Sequence, residues 1–140
     1  MTTTRFPEVV HLIEVGPRDG LQNEPHLVPT EIKARWIAML IQAGLRTIEV
    51  TSFVAPSKVP QLADSEDLLS LLPEVSDVHY AALVPNERGF MRSRHGNLDT
   101  IAVFTAASER FTHHNIGCSI EESLSRFVPV VAEAHQLGDG

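Results

Sequence analysis

The chain has 140 residues, of which 43% are hydrophobic and 21% are charged, a balance typical of one soluble globular domain. Its formal net charge of -7 at pH 7 disfavours nonspecific nucleic-acid binding, which requires a basic surface. The single cysteine, Cys118, excludes an intramolecular disulfide and is consistent with a reducing compartment. The sequence contains neither a membrane-length apolar run nor a signal-peptide core or Arg-rich leader. We therefore expect a cytoplasmic protein that binds neither membranes nor nucleic acid.

Four short runs that are rich in β-branched and apolar residues predict β-strands. The runs lie at 9–15, 47–50, 78–83 and 100–104. A helical pattern follows each run, so the predicted order of elements is βαβαβαβα. Alternation of this kind is typical of parallel strands joined by right-handed helical crossovers.

The first two predicted helices have clear boundary signals. Thr30 is expected to cap a helix with apolar residues at spacings of three and four, and Gly44 follows it in the position of a left-handed cap. Ser65 is expected to cap a second, shorter helix, which Pro73 stops because proline cannot continue a helix.

The last two predicted helices differ in the strength of their signals. The third is predicted only weakly, over 87–95. Ser119 and Glu122 form the capping-box pattern that opens a fourth helix. Pro129 lies inside that pattern and is expected to kink or split the helix, because proline lacks the N–H that an interior turn uses.

Two folds fit this order of elements. Four βα units can form an open, doubly wound sheet with helices on both faces, as in an independent flavodoxin-like domain. They can equally form half of an eight-unit barrel, which typically needs about 250 residues. In both folds the ligand site lies at the carboxyl ends of the strands, so the loops after the strands contain the candidate residues.

The loop at 16–24, directly after the first predicted strand, combines a cation, a carboxylate and two amides. Asp19 offers the oxygen ligand that a hard divalent ion such as Mg²⁺ or Mn²⁺ prefers. Arg18 beside it can hold a carboxylate or stabilise the negative charge that develops on an enolate oxygen. The alternative is a solvated turn, because Arg-Asp-Gly is a short string that is common in turns.

Further polar residues lie in or just after the other predicted strands. Glu49 lies in a strand that is apolar around it, so it is either a buried group that pairs with Arg18 or an outward-facing carboxylate. Ser52 lies in the next loop, where it could meet an anionic group. Asn86 follows the third strand and can bind a substrate or cap a helix. For Cys118 we expect a buried structural thiol, since no base lies at a spacing typical of a nucleophile.

Together these loops resemble one family, the hydroxymethylglutaryl-CoA lyases. The loop at 16–24, Gly-Pro-Arg-Asp-Gly-Leu-Gln-Asn-Glu, is similar to the family's first-strand signature. The resemblance continues at Glu49, 51–54, 59–61, Asp64, 85–86, 106–109 and 118–123. It runs from about Val9 to Phe127 and matches the amino-terminal half of the family only. Related synthases share the Arg-Asp-Gly string but usually lack the Leu-Gln-Asn-Glu continuation.

The resemblance implies a (β/α)8 TIM barrel, of which residues 1–140 form the amino-terminal half with about four βα units. It implies cleavage of 3-hydroxy-3-methylglutaryl-CoA, an acyl-CoA, into acetyl-CoA and acetoacetate, as in leucine breakdown. The catalytic residues are then Arg18, which stabilises an enolate, Asp19, which ligates the divalent cation, and Glu49, which holds Arg18. The implied substrate-binding residues are Arg18, Gln22, Ser52 and Asn86.

The resemblance also implies groups that lie outside this sequence. The family's His-x-His metal pair, a metal-ligating Asn and a Gly-rich loop with the catalytic Cys belong to the second half of the barrel, and Cys118 matches a different position. We therefore expect the isolated chain to be inactive and to associate through its open sheet edges, with a carboxyl-terminal half or as a homodimer. The alternatives are a related metal-dependent aldolase or acyl transferase, and a non-catalytic half-barrel that dimerises.

Overall fold

The computed structural model describes residues 6–137, and its strands form one parallel sheet. The strands are β1 (Ile13–Glu14), β2 (Thr47–Ser52), β3 (His79–Leu83) and β4 (Thr100–Ala102). The helices are α1 (Thr30–Gln42), α2 (Ser65–Leu71), α3 (Glu87–Ser93), α4 (Glu109–Asn115) and α5 (Ile120–Gln136). The predicted alternation of strands and helices is thus confirmed, with one helix more than the pattern indicated.

The order of the strands in the sheet decides between the two folds. A doubly wound sheet reverses its order beside the first strand, whereas here the order is β1-β2-β3-β4 with every neighbouring pair parallel. Each new strand is added at the same edge, so right-handed crossovers place all the helices on one face of the sheet. The chain therefore has the fold of the first four units of a (β/α)8 barrel, and the flavodoxin-like alternative is wrong.

The two outer strands are shorter than predicted. The run at 9–15 pairs with β2 only at Ile13 and Glu14, and the run at 100–104 pairs with β3 only as far as Ala102. Among residues 6–137, each of these strands has a neighbour on one side only, because β1 and β4 lie at the edges of the sheet. The apolar residues just outside the pairing, including Val10 and Phe104, are exposed.

Two predicted helix caps are wrong, because their hydroxyls make longer-range contacts. The residues that precede α1 and α2 are Pro29 and Asp64, and Thr30 and Ser65 are the first helical residues. Thr30 Oγ1 donates to Asp64 Oδ2 at 2.7 Å. Ser65 Oγ is 2.8 Å from the carbonyl oxygen of Ser52. Thr30 therefore connects α1 to the segment after β2, and Ser65 connects α2 to the end of β2, instead of capping their own helices.

Other boundary signals are confirmed. Gly44 follows α1 with φ of +99°, in the left-handed region that favours glycine. Asn86 precedes α3, and its side chain accepts from the Gly89 N–H at 2.9 Å. Ser119 and Glu122 form the reciprocal capping box of α5.

The segment after β4 departs from prediction at two points. α4 was not predicted from the sequence, although Ser108 caps it by accepting from Phe111 N. α5 is continuous through Pro129, which was expected to kink or split it. An interior proline removes one backbone hydrogen bond. The capping box and the buried Phe127 and Val130 are the contacts that stabilise α5 on either side of it.

The hydrophobic core lies between the sheet and the helices that cover it. Its fully or nearly fully buried side chains come from α1, α2, α3 and α5, from β2 and β3, and from the residues that directly follow these two strands. They include Ile37, Ile48, Val50, Phe53, Leu68, Tyr80, Val84, Phe90 and Val130. Cys118 is also buried, at 2% exposure, in line with the structural thiol expected from the sequence. Within residues 6–137, no helix is long and apolar enough to cross a membrane.

An ion pair joins α2 to α3 over the core residue Phe53. Arg92 Nε and Nη2 donate to the two carboxylate oxygens of Glu66 at 2.6 and 2.7 Å, and the guanidinium carbon lies 5.5 Å from the centre of the Phe53 ring. The hydrogen bonds from Arg92 hold the pKa of Glu66 below its ordinary value. Because its pKa is lower in the folded protein, Glu66 stabilises the fold above its unfolded-state pKa and loses that contribution as the pH falls through its folded-state pKa.

We expect Glu66→Gln to lower the free energy of unfolding near pH 7 by up to about 1 kcal/mol, since the pair is partly exposed to solvent. The difference from wild type should shrink once the pH falls through the lowered pKa of Glu66, where the carboxylate is protonated in both states. Urea unfolding at the two pH values measures this. Glu74→Gln, at an exposed position, is the matched control. A difference that stays constant with pH would contradict this account of the pair.

Candidate active site

The loop at 16–24, which we call the site loop, is wound tightly against the end of β1. It forms a single π-helical turn, Gly16–Gly20, followed by a short 3₁₀ turn, Leu21–Asn23. Glu14 Oε1 accepts from the Gly16 N–H at 2.6 Å, and Asn23 Nδ2 donates to the Asp19 carbonyl at 3.0 Å. These contacts hold Arg18 and Asp19 on one turn just beyond a strand end. π-Helical turns of this kind are frequent at functional sites.

Arg18 lies between two carboxylates that differ in their exposure to solvent. Its Nη1 donates to Asp19 Oδ1 at 2.8 Å, and its Nη2 donates to Glu49 Oε2 at 3.0 Å. The side chain of Glu49 is 8% exposed, whereas that of Asp19 is 55% exposed. The buried carboxylate therefore orients the guanidinium from within the protein, and Asp19 remains open to a ligand.

Two buried polar atoms at the centre of this cluster have no hydrogen-bond partner among residues 6–137. They are Arg18 Nε and Glu49 Oε1, which belong to the two side chains that face each other. Leaving a donor and an acceptor buried without a partner is costly, and native proteins rarely do it. Further groups, from solvent, substrate or more polypeptide, are therefore expected to meet these atoms.

An irregularity in β2 separates Glu49 from Thr51. The pairing of β2 with β3 shifts between these two residues, so that Val50 is an extra residue in β2. Residues two apart in a regular strand share a face. Here, however, Glu49 contacts Arg18, whereas Thr51 contacts Ser65 of α2. The bulge thus directs Glu49 and Thr51 toward different neighbours, and bulges are common next to active sites.

Gln22 joins the same cluster through Asp19. Gln22 Nε2 donates to Asp19 Oδ1 at 3.1 Å, so this oxygen accepts from both Gln22 and Arg18. Among residues 6–137, Asp19 Oδ2 has no hydrogen-bond partner. An exposed carboxylate with one such oxygen can contribute one ligand to a divalent cation. No group of three or more His, Cys, Asp or Glu side chains within the described part of the chain could hold a metal ion unaided.

Ser52 and Asn86 are placed apart from the hydrogen-bonded cluster. Ser52 ends β2, is 2% exposed, and its hydroxyl accepts from the Val54 N–H at 3.2 Å. The side-chain oxygen of Asn86 is used to cap α3. The structure therefore brings Arg18, Asp19, Gln22 and Glu49 into direct contact, whereas it assigns Ser52 and Asn86 local hydrogen bonds.

Sequence reasoning overlooked Lys33, which is 2% exposed although it carries a charge. Its Nζ lies 2.6 Å from both the Gln61 carbonyl and Asp64 Oδ1. A signal was present in the pattern: Lys33 is four residues before the buried Ile37, on the stripe of α1 that faces the protein. A lysine on such a stripe requires a partner, because burying an unpaired charge is very costly.

The chain is similar to curated lyases over nearly all of its length. It is 47% identical over 133 residues to the mitochondrial hydroxymethylglutaryl-CoA lyase of Bos taurus, covering 95% of this chain and 41% of that protein. It is 49% identical over 132 residues to the cytoplasmic 3-hydroxy-3-methylglutaryl-CoA lyase of Rattus norvegicus, covering 94% of this chain and 38% of that protein. The chain thus spans about two fifths of the length of these relatives.

Solved structures agree with the sequence comparison. A crystal structure of hydroxymethylglutaryl-CoA lyase from Pseudomonas aeruginosa superposes with a TM-score of 0.88 at 48% identity, covering 93% of this chain and 43% of that chain. An HMG-CoA lyase from Acinetobacter baumannii, in complex with coenzyme A and 3-methylmalate, superposes with a TM-score of 0.86 at 32% identity. That match covers 94% of this chain and 43% of that chain.

The sequence also matches the HMGL-like family over residues 9–140, which is more than nine tenths of the chain. The matched segment includes the site loop and all four strands. The sequence signature of the loop, the parallel strand order and the similarity to lyases in sequence and structure agree with one another. This chain belongs to the HMGL-like family.

Proposed function

We propose that residues 1–140 are the amino-terminal half of a TIM-barrel carbon–carbon lyase that cleaves 3-hydroxy-3-methylglutaryl-CoA into acetyl-CoA and acetoacetate. The observation that supports this most directly is the pair of contacts that Arg18 makes from the loop at the carboxyl end of β1, to Asp19 beside it and to Glu49 within β2. In barrel enzymes the reacting groups lie at that end of the strands. The relatives named as HMG-CoA lyases support the choice of substrate.

The reaction needs negative charge to be stabilised at two oxygens in turn. The tertiary hydroxyl of the substrate first loses its proton. The bond between that carbon and the carbon next to the thioester then breaks, which releases acetoacetate and the enolate of acetyl-CoA. The enolate finally takes up a proton on carbon. A fixed guanidinium stabilises an enolate oxygen well, because its N–H groups are already oriented before the charge develops.

The different burial of three side chains suggests a different role for each: Arg18, Asp19 and Glu49. Glu49 fixes the orientation of Arg18 from the buried side, which leaves the guanidinium free to donate to the thioester oxygen as the enolate forms. Asp19 is exposed and lies beside Arg18, so its carboxylate is placed to exchange a proton with the substrate. Gln22, through its bond to Asp19 Oδ1, limits the movement of that carboxylate. Ser52 and Asn86 are proposed to line the acyl-CoA site.

A divalent cation, Mg²⁺ or Mn²⁺, is proposed as the cofactor, with Asp19 as its ligand in this chain. The ion would lower the pKa of the tertiary hydroxyl and so assist its deprotonation. The exposed carboxylate fits the oxygen preference of these ions. A single carboxylate does not hold such an ion firmly, since Mg²⁺ takes about six oxygen ligands. Other groups must therefore complete the coordination.

We propose that further polypeptide with the remaining βα units covers the open parts of this half-barrel. Among residues 6–137, β1 and β4 each have one free edge, and the outer face of α5 exposes Leu124, Val128 and Val131. Such edges and apolar faces favour association. The alternative is that a second copy of the chain covers these edges and this face in a homodimer. The isolated chain should have negligible lyase activity, because it supplies one metal ligand and leaves Arg18 Nε and Glu49 Oε1 unpaired.

The test is a fusion in which residues 1–140 are followed by the part of the Pseudomonas aeruginosa lyase beyond the matched segment. We expect the fusion to release acetoacetate from hydroxymethylglutaryl-CoA only when Mg²⁺ or Mn²⁺ is added, and the isolated chain to release almost none. Turnover by the purified isolated monomer would overturn the need for a second half. A folded fusion that instead condensed acetyl-CoA with a keto acid would identify an acyl transferase.

Two other parts of the proposal have separate tests. Size-exclusion chromatography of the isolated chain with mass detection distinguishes a stable homodimer from aggregates or a monomer. Cytoplasmic localisation also stays a prediction, because the relatives include both cytoplasmic and mitochondrial lyases. Imaging of the tagged protein in its source cells would test it. In either compartment, the proposed reaction is a step of leucine breakdown.

A further inference from the structure

A polar cluster around the buried Lys33 lies behind the site and takes no part in the chemistry proposed above. It consists of Thr30 and Lys33 of α1 with Gln61 and Asp64 of the segment between β2 and α2, and we call it the Lys33 cluster. Lys33 Nζ lies 2.6 Å from both Asp64 Oδ1 and the Gln61 carbonyl. Thr30 Oγ1 donates to the second oxygen of Asp64 at 2.7 Å. The ammonium and both carboxylate oxygens are therefore all engaged.

One hydrogen-bonded path leads from this cluster to the site loop. The side chain of Gln61, whose carbonyl accepts from Lys33, donates through Nε2 to the Glu24 carbonyl at 2.9 Å. Glu24 is the last residue of the site loop, and its neighbour Asn23 donates to the Asp19 carbonyl at 3.0 Å. The path thus joins Lys33 to the backbone that holds Asp19.

A second path leads from the cluster to the end of β2. Asp64 directly precedes Ser65, the first residue of α2. Ser65 Oγ is fully buried and lies 2.8 Å from both the Ser52 carbonyl and Thr51 Oγ1. The Lys33 cluster therefore contacts the supports of both strand ends that carry candidate site residues.

The burial of Lys33 needs an explanation, because an ion pair with one fully buried partner is weak evidence for stability. Removing two charges from water costs about as much as their attraction returns, so apolar residues of similar volume often stabilise a fold as well. What a hydrogen-bonded ion pair offers in addition is a fixed geometry between the segments that carry it. Lys33 is on α1, the helix that follows the site loop. Asp64 directly precedes α2, the helix that follows β2.

We propose that Lys33 is a positioning residue. Through Asp64 and Gln61 it fixes the position of the site loop relative to the end of β2. This inference rests on the proposed function for its consequence in catalysis, but its structural effect can be measured without turnover. The consequence is that Arg18 and Asp19, on the loop, keep their distance from Glu49, on the strand.

The first test is hydrogen–deuterium exchange of the 140-residue chain, read on peptides that cover the site loop and on peptides from β2, β3 and α5. In Lys33→Met, exchange of the site loop should become at least about 10-fold faster. In wild type the loop can open only if the contacts of Lys33 break, and the variant lacks these contacts. Exchange in β3 and α5 should stay within about twofold of wild type. Arg35→Met, an exposed cation on the same helix, is the matched control and should change neither.

A double variant separates positioning from mere stability. Lys33→Met/Asp64→Leu removes both charges, so no unpaired charge stays buried and the urea midpoint should return toward wild type. If Lys33 positions the loop, fast exchange at 16–24 persists in the double variant. Exchange that returns to the wild-type rate together with the urea midpoint, or that accelerates equally along the whole chain, would overturn the proposal.

The fusion described above gives a second readout that a purely stabilising residue would not move. In the folded Lys33→Met fusion, kcat should fall at least about 10-fold while KM changes by less than about threefold, because the loop groups act mainly in the transition state. An unchanged kcat would overturn the positioning role. A wild-type fusion without lyase turnover would instead overturn the proposed function, and the exchange experiment on the chain would still decide the role of Lys33.

Discussion

Replacing Arg18 with glutamine in the fusion should lower kcat by about 10³-fold, the loss typical of removing one oriented donor from a developing oxyanion. Glutamine keeps a hydrogen-bond donor and much of the length but loses the charge and the fork that reaches both carboxylates. Arg18 spans Asp19 and Glu49 with two different nitrogens, so no single amide can replace both contacts. The measurement is acetoacetate release at saturating substrate and cation.

The controls for Arg18 address charge and folding separately. Arg18→Lys keeps the charge but not the two-pronged geometry, so it should recover only part of the activity. Arg88→Gln removes an exposed arginine of α3 and should leave kcat unchanged. If Arg18→Gln, folded as judged by circular dichroism, kept more than about a tenth of the wild-type kcat, Arg18 would not be the group that stabilises the enolate.

Replacing Glu49 with alanine should be the second most damaging change, with a fall in kcat of about 10²-fold, the scale expected when a reacting group is displaced by about 1 Å. Glu49 is the buried partner of Arg18, and without it the guanidinium is held only by the exposed Asp19. Arg18 is then expected to rotate toward solvent with Asp19. Steady-state kinetics of the fusion measures the effect.

Glu49→Gln distinguishes orientation from charge. The amide preserves the size of the side chain and one acceptor oxygen, so it should still accept from Arg18 Nη2 and retain more activity than the alanine variant. Glu74→Gln, at an exposed position outside the site, is the control. If the Glu49→Ala fusion kept the kcat of the wild-type fusion, Arg18 would not depend on Glu49 for its position.

The sequence alone predicted those features that depend on neighbouring residues. The alternation of strands and helices, the capping box at Ser119 and Glu122, and the left-handed position of Gly44 all follow from patterns within a few residues. The sequence also indicated the loop at 16–24 as a candidate site, because its polar residues lie close together directly after a strand, and that role stays a prediction. The resemblance to the lyases rests on the same kind of local string, and the comparisons confirm it.

Tertiary contacts overrode several of the local signals. Thr30 and Ser65 have the residue type of helix caps, yet their hydroxyls are used by Asp64 and by the end of β2. The predicted outer strands were too long, because a run of β-forming residues becomes a strand only where another strand pairs with it. Pro129 was expected to kink or split α5, but the helix continues through it.

The choice of fold and the assembly of the site were decided by the tertiary structure. The same βαβαβαβα order is compatible with a barrel and with a doubly wound sheet, and only the pairing of the strands shows that each is added at one edge. Arg18 and Glu49 are 31 residues apart, as are Lys33 and Asp64, so their contacts depend on strand register and helix packing. Such contacts link separate segments of the chain, and no pattern within a single segment specifies them.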